Sequence, residues 1–114
     1  MNKYKAKKTE IDGIVFDSAK EARRYSELKL LESQGVISRL ELQPEFPIVI
    51  NNIPVKIRST RFRNGRSVKY IADFRYRNEH FDWVIEDVKG FDTSTSRLKR
   101  AIVEAIYDIR IEVV

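Results

Sequence analysis

Hydrophobic and polar positions change their period several times along this chain, and each change predicts an element. Thr9-Glu10-Ile11 and Ile14-Val15-Phe16 flank Asp12-Gly13, a pair that tolerates the positive φ angles of a tight two-residue turn. A β-hairpin is predicted there. From Ser18 to Gln34 the period becomes helical, with Ala22, Tyr25, Leu28 and Leu31 every third residue and Leu30 widening the stripe. Ser18 suits the N-cap, and Gly35 suits the left-handed residue that ends a helix. Arg39 to Gln43 alternates as a strand, Pro44 breaks it, and Phe46 to Ile50 resumes it.

A hairpin is expected between Val55 and Tyr70, with Asn64-Gly65 at its tip. Two apolar strands follow, Tyr70 to Arg77 and Phe81 to Lys89, joined by a short loop at Asn78, Glu79 and His80. Gly90 stops the second. A helix is predicted from about Thr95 to Tyr107, its core face formed by Leu98, Ala101, Ile102 and Ala105. Ile109 to Val114 reads as a last strand. The order helix, strands, helix, strand defines an α/β class, with a mixed central β-sheet flanked by helices (α-β-β-β-α-β) and an N-terminal β-hairpin. The final crossover should lay the last strand parallel to a central one.

Composition narrows the chemistry. The 114 residues fit one domain, 1–114, with residues 1–8 as a basic N-terminal arm. There is no Cys, which removes disulfides, thiol catalysis and Cys-based zinc sites, and the one His, His80, removes multi-histidine metal sites. The apolar run Phe46 to Ile50 is far short of the ~20 residues of a membrane span. The start, MNKYKAKKTE, has no apolar stretch behind its charges, so no secretory signal is read there and a cytoplasmic location is expected. The net charge of +5 favours a polyanion partner only modestly.

Two acids stand out by position. Asp73 interrupts Tyr70-Ile71-Ala72-Asp73-Phe74, and Asp87 interrupts Trp83-Val84-Ile85-Glu86-Asp87-Val88-Lys89. An ionised carboxylate in so apolar a strand is costly unless it is paired or metal-bound. Lys89, two residues beyond Asp87, points to the same face. Two such carboxylates can hold Mg²⁺ (or Mn²⁺), while a lysine beside them positions a water near a scissile phosphate. The plainer reading is a structural ion pair on a half-exposed sheet.

Phe16-Asp17-Ser18-x-x-Glu21-Ala22 on the first helix, then Ile71-Ala72-Asp73-Phe74, then Asp87-Val88-Lys89-Gly90, resemble in order the PD-(D/E)XK nuclease superfamily. More narrowly, the chain resembles a small phage-type endonuclease-like family of unknown function with a basic N-terminus and a D-V-K-G block. The resemblance runs from about Tyr4 to the C-terminus. It implies a restriction-endonuclease-like core and a metal-dependent DNA endonuclease, working in phage or mobile-element recombination, replication or packaging, in the host cytoplasm if phage-encoded. It also implies Asp73, Asp87 and the Val88 carbonyl as metal ligands, Lys89 as the catalytic lysine and Glu21 as an additional helix acid. Ala72 replaces the name-giving Pro, and Asp87 replaces the commoner Glu. A homodimer follows only by analogy with nucleases that cut both strands. The alternative is a non-catalytic nucleic-acid-binding module on the same fold.

Geometry supplies a register test. A two-residue turn at Asn78-Glu79 would put Asp73 on the face of Glu86, whereas a three-residue loop puts it opposite Ile85, on the face of Asp87 and Lys89. An odd-length connection, or a bulge restoring parity, is therefore predicted. Glu21 has a competing role, since Ser18-x-x-Glu21 is also a capping box. Glu86 is read as an outward-facing or supporting acid, and His80 as an exposed loop residue.

Lys56, Arg58, Arg61, Arg63, Arg66 and Lys69 lie in a stretch without acids, which makes them a candidate phosphate-tracking surface. Arg97 and Arg100, early in the second helix, and Gln43, at a strand end, are further candidates for backbone contact. None of these belongs to a base-reading motif, so shape recognition of DNA is expected. RNA stays open, because phosphate contacts do not test for a 2′-hydroxyl.

Overall fold

The computed structural model describes residues 7–114. Most of the basic arm thus lies outside the described residues, and Lys7 and Lys8 at its inner end are exposed. Strands β1 (Thr9–Ile11) and β2 (Ile14–Phe16) form the expected hairpin, with Asp12 and Gly13 at φ 54° and 76°. Helix α1 (Ala19–Ser33) is capped by Ser18, whose Oγ accepts from the Glu21 amide at 3.1 Å. Strand β3 (Ser38–Leu42) leads into β4 (Glu45–Pro47). The Asn51-Asn52 turn, at φ 52° and 66°, then joins β5 (Val49–Ile50) to β6 (Ile53–Pro54), a hairpin the apolar run Phe46 to Ile50 had concealed.

The basic hairpin is β7 (Lys56–Ile57) and β8 (Arg66–Ser67), and its form differs from expectation. Asn64-Gly65 is not a two-residue tip. Ile57 pairs with Arg66, so residues 58–65 form a wide loop, tightened where the Gly65 amide donates to the Phe62 carbonyl at 3.0 Å.

The predicted strand Tyr70 to Arg77 is two strands, β9 (Lys69–Ile71) and β10 (Phe74–Arg77), parted by a bend at Asp73. Its partner bends at the same level, where Gln43 adopts φ 53° and its amide donates to the Asp73 carbonyl at 2.9 Å. β9 pairs with β4 and β10 with β3, so a two-stranded ribbon folds over at Asp73. Strand β11 (Trp83–Asp87), helix α2 (Ser94–Tyr107) and β12 (Ile111–Val113) complete the chain.

The central sheet has the order β12-β11-β10-β3, with β11 and β12 parallel and the other neighbours antiparallel, so the fold is a mixed α/β one. The β10–β11 connection is five residues, 78–82, because Arg77 pairs with Trp83. It is odd, as parity required, though two residues longer than expected. The Asn78 carboxamide holds it together by accepting from the amides of His80 and Asp82 at 2.9 and 3.0 Å.

This register divides the faces. Phe74 and Tyr76 pack with Ala22, Tyr25 and Leu28 under α1, while Ile85 and Ile111 pack with Tyr70, Phe46 and Val103 of α2 on the other side. The expected core face of α2 is corrected in part: Ile102 packs against the core as expected, but the other three residues do not. Leu98 is 62% exposed, Ala101 and Ala105 are exposed, and Val103 is the helix's fully buried residue. The inward side is Ile102 and Val103 with the half-buried Arg100 and Glu104, while Tyr107, itself exposed, sets its ring edge-on to Phe46. Glu104 accepts from the Ile111 amide at 2.8 Å, and the Tyr107 hydroxyl donates to the Pro47 carbonyl at 2.7 Å. Polar side chains on this side are satisfied by fixed partners, which lets Leu98 turn outward. Among the described residues, no helix is long and apolar enough to cross a membrane.

Candidate active site

The site is built where the ribbon folds over. Continuing the β10–β11 register past Phe74↔Glu86 sets Asp73 opposite Asp87, on one face. The Asp73 amide donates to the Glu86 carbonyl at 3.1 Å, which keeps the bend in the sheet. Its carboxylate turns along the neighbouring strand end and accepts from the Val88 amide at 2.7 Å. Val88 therefore contributes an N–H to the site.

Asp87 is 3% exposed and meets two donors, the Tyr70 hydroxyl and the Lys89 Nζ, the latter at 3.2 Å. Lys89 itself is held in place when Lys20 Nζ donates to its carbonyl at 2.8 Å. Glu21 approaches from the first turn of α1. Its amide serves the Ser18 cap, while its carboxylate lies within hydrogen-bonding reach of the Asp73 side chain and the Asp17 backbone amide. The two readings of Glu21 are thus divided between its backbone and its side chain.

Carboxyl groups crowded together away from water are costly to ionise. Burial, followed by the interaction with Asp87, raises the Asp73 carboxyl to about 8, against the Val88 amide, which lowers it. Burial and the Asp17 charge raise Glu21 above the ordinary carboxylate range. These carboxyls open into a cleft of about 580 Å³ lined by Asp17, Lys20, Glu21, Asp73, Asp87 and Lys89, with Ile71 and Phe91 at its edge.

Glu86 behaves otherwise than expected. It is 2% exposed, on the α1 side of the sheet, and its carboxylate takes a bidentate pair from Arg24, Nε to Oε1 at 2.8 Å and Nη2 to Oε2 at 2.7 Å. The Tyr76 hydroxyl donates to it as well. Glu86 is structural, and one residue of parity separates it from Asp87.

Arg100 already has a partner within the fold. Instead of reaching outward it pairs with Asp92, Nη2 to Oδ2 at 2.6 Å, and brings its charge close to the Tyr70 hydroxyl that touches Asp87. Arg97 stays exposed and donates to the Asp92 carbonyl at 2.8 Å. Gln43 is exposed beside the bend, and His80 lies in its exposed loop near Glu79. Lys56, Arg58, Arg61, Arg63, Arg66 and Lys69 are all exposed, with Lys69 paired to Glu45 at 2.8 Å. Sequence reasoning missed Tyr70, Lys20 and Asp17. Tyr70 carried a usable signal: it lies three residues before Asp73 in an apolar strand, where a buried hydroxyl needs a partner.

Among the described residues, no group of three or more His, Asp or Glu side chains is disposed, as it stands, to hold a metal ion. The donor chemistry nevertheless suits a hard divalent cation. Glu21, Asp73 and Asp87 line one cleft, where a bound cation would favour the ionised forms that burial disfavours at Glu21 and Asp73.

These elements define an α/β domain with a carboxylate and lysine cleft at a sheet bend. The chain belongs to the family described as protein of unknown function (DUF1064), whose model matches residues 1–113. No curated protein and no solved structure matches it.

Proposed function

We propose that this protein is a metal-dependent DNA endonuclease of the PD-(D/E)XK type, on a restriction-endonuclease-like core. The observation that carries the reading is the meeting of Asp73, Asp87 and Lys89 on one sheet face, with Glu21 brought to them by α1. A Mg²⁺ or Mn²⁺ ion bound there would supply water activation and polarisation of the phosphoryl oxygen. Asp73 and Asp87 would be its ligands, with Glu21 as a third carboxylate and, as the resemblance implies, the Val88 carbonyl. The Lys89 ammonium, already fixed by Asp87 and by Lys20 on its backbone, orients the attacking water and offsets charge developing on the phosphate. Tyr70 positions Asp87, with the Arg100 charge close to its hydroxyl. The exposed cations of the 58–65 loop and its flanking strands hold the phosphate backbone. Such an enzyme would act in the cytoplasm, on DNA being recombined, replicated or packaged by a phage or mobile element.

The rival reading, a non-catalytic nucleic-acid-binding module, draws on Asp87 already having donors in Tyr70 and Lys89. A cleavage panel decides. Supercoiled plasmid, linear duplex, single strand and four-way junction are incubated with EDTA, Mg²⁺ or Mn²⁺, for wild type, Asp87→Ala and Lys89→Ala. Cutting that requires metal and is lost in both variants supports the nuclease. Salt-sensitive binding with no cutting, alike in all three proteins, overturns it in favour of the module.

A further inference from the structure

The catalytic cleft does not end at Lys89. A second section of about 390 Å³ shares Ile71 and Lys89 with it, and a third of about 740 Å³ shares Lys69, Ile71 and Lys99 with the second. The three abut, making one groove that runs from the carboxylates past the start of α2 to the basic loop. Its far end is formed by Phe62 and Arg66, with Lys99 where the second and third sections meet. Arg66 and Lys99 make no ion pair among the described residues. Phe62 is 38% exposed, belongs to neither core cluster, and has the guanidiniums of Arg61 and Arg66 at 5.4 and 5.8 Å from its ring centre.

We infer that this groove seats a single DNA strand leading into the cut site, its phosphates along Lys69, Lys99 and Arg66 and a base against the Phe62 platform. Cations tracking a backbone would serve duplex or single strand alike. The aromatic ring does not, because bases in a duplex already stack on each other and offer a side wall only edges and phosphates. An unpaired base has a free π-face, which a ring flanked by guanidiniums receives without regard to sequence. The substrate class is therefore DNA with an unpaired segment next to the scissile bond, such as a tail, flap or open junction. This rests on the nuclease reading only for what happens at the carboxylate end.

The test separates the two. Binding of fluorescein-labelled single strand, blunt duplex of the same sequence, and duplex with one single-stranded tail is followed by anisotropy in EDTA, where no cutting is needed. The full-length protein is compared with Phe62→Ala, Phe62→Trp and Lys99→Ala. Single strand and tailed duplex should bind more tightly than blunt duplex. Phe62→Ala should weaken the first two by about fivefold or more and leave blunt duplex unchanged. Phe62→Trp should restore them, and Lys99→Ala should flatten the salt dependence. Equal affinity for blunt duplex and single strand, or a Phe62→Ala variant that binds single strand like wild type, overturns the inference, even if the protein cuts DNA. Single-strand preference lost in Phe62→Ala supports it, even if the protein proves unable to cut.

Discussion

Asp73, half-buried at the bend, and Glu86, buried in β11, show how differently two neighbouring acids are resolved. Glu86 is paired and hydrogen-bonded on every side, so its charge is held by Arg24 and Tyr76. Removing one member of such a pair leaves the other stranded. Glu86→Gln should therefore cost about 3 kcal/mol in urea unfolding while leaving the cleft chemistry intact. A loss under about 1 kcal/mol would mean that Arg24 finds water instead. At Asp73, burial and then Asp87 push the carboxyl up to about 8. Its folded value exceeds its unfolded one, so the folded state holds a proton the unfolded state gives up. The contribution is full below about pH 4 and is lost as pH rises towards 8. The stability difference between wild type and Asp73→Asn, measured in EDTA, should shift against wild type across that window. A difference flat with pH would place the proton elsewhere.

Among the elements, α1 does two jobs through one turn. Ser18 caps it, and the same turn delivers the Glu21 carboxylate to Asp73. Ser18→Ala should lower stability by about 1 kcal/mol in denaturant titration. It should also loosen Glu21, so any metal-dependent rate should fall further than the same loss of stability produced elsewhere in α1 would explain. α2 works by its half-buried polar side chains, in which Arg100 brings its charge close to the Tyr70 hydroxyl and Tyr70 touches Asp87. The bend shared by Gln43 and Asp73 is the third device. A straight ribbon would have carried Asp73 on as an ordinary strand residue.

At the scale of the whole molecule, the radius of gyration is 15.9 Å, against about 13 Å for a compact chain of about 100 residues. The excess fits the almost wholly exposed stretch from Asn51 to Arg66, which extends the groove beyond the sheet. A resident cation would couple to the whole fold, since it binds the folded state alone. Mg²⁺ or Mn²⁺ at a hundred times its dissociation constant should add about 2.7 kcal/mol, visible as a rise in Tm. The rise should be larger at pH 8 than at pH 5, because the carboxyls must lose their protons to bind, and it should vanish in Asp73→Asn. An unchanged Tm at millimolar metal would count against the site.

Local chemistry made much of this legible beforehand. Asp12-Gly13, the Ser18 and Gly35 helix ends, the α/β order and the parallel last strand are all consequences of short-range preferences and connection rules. So was the parity that sets Asp73 with Asp87 and Lys89, because side chains alternate strictly along a strand. What lay beyond the sequence depended on partners distant in the chain. The break at Asp73 needs the opposing bend at Gln43, thirty positions away by number. The outward turn of Leu98 needs Asp92, Tyr70, Pro47 and Ile111 to satisfy the opposite side of α2. The burial of Glu86 needs Arg24 from a helix sixty-two residues earlier. A hydrophobic pattern records which residues avoid water, but a polar residue reads the same whether water or a buried partner satisfies it. Only the tertiary structure decides between those two, and at this site that decision separates the acid that holds the fold from the acids that open into the cleft.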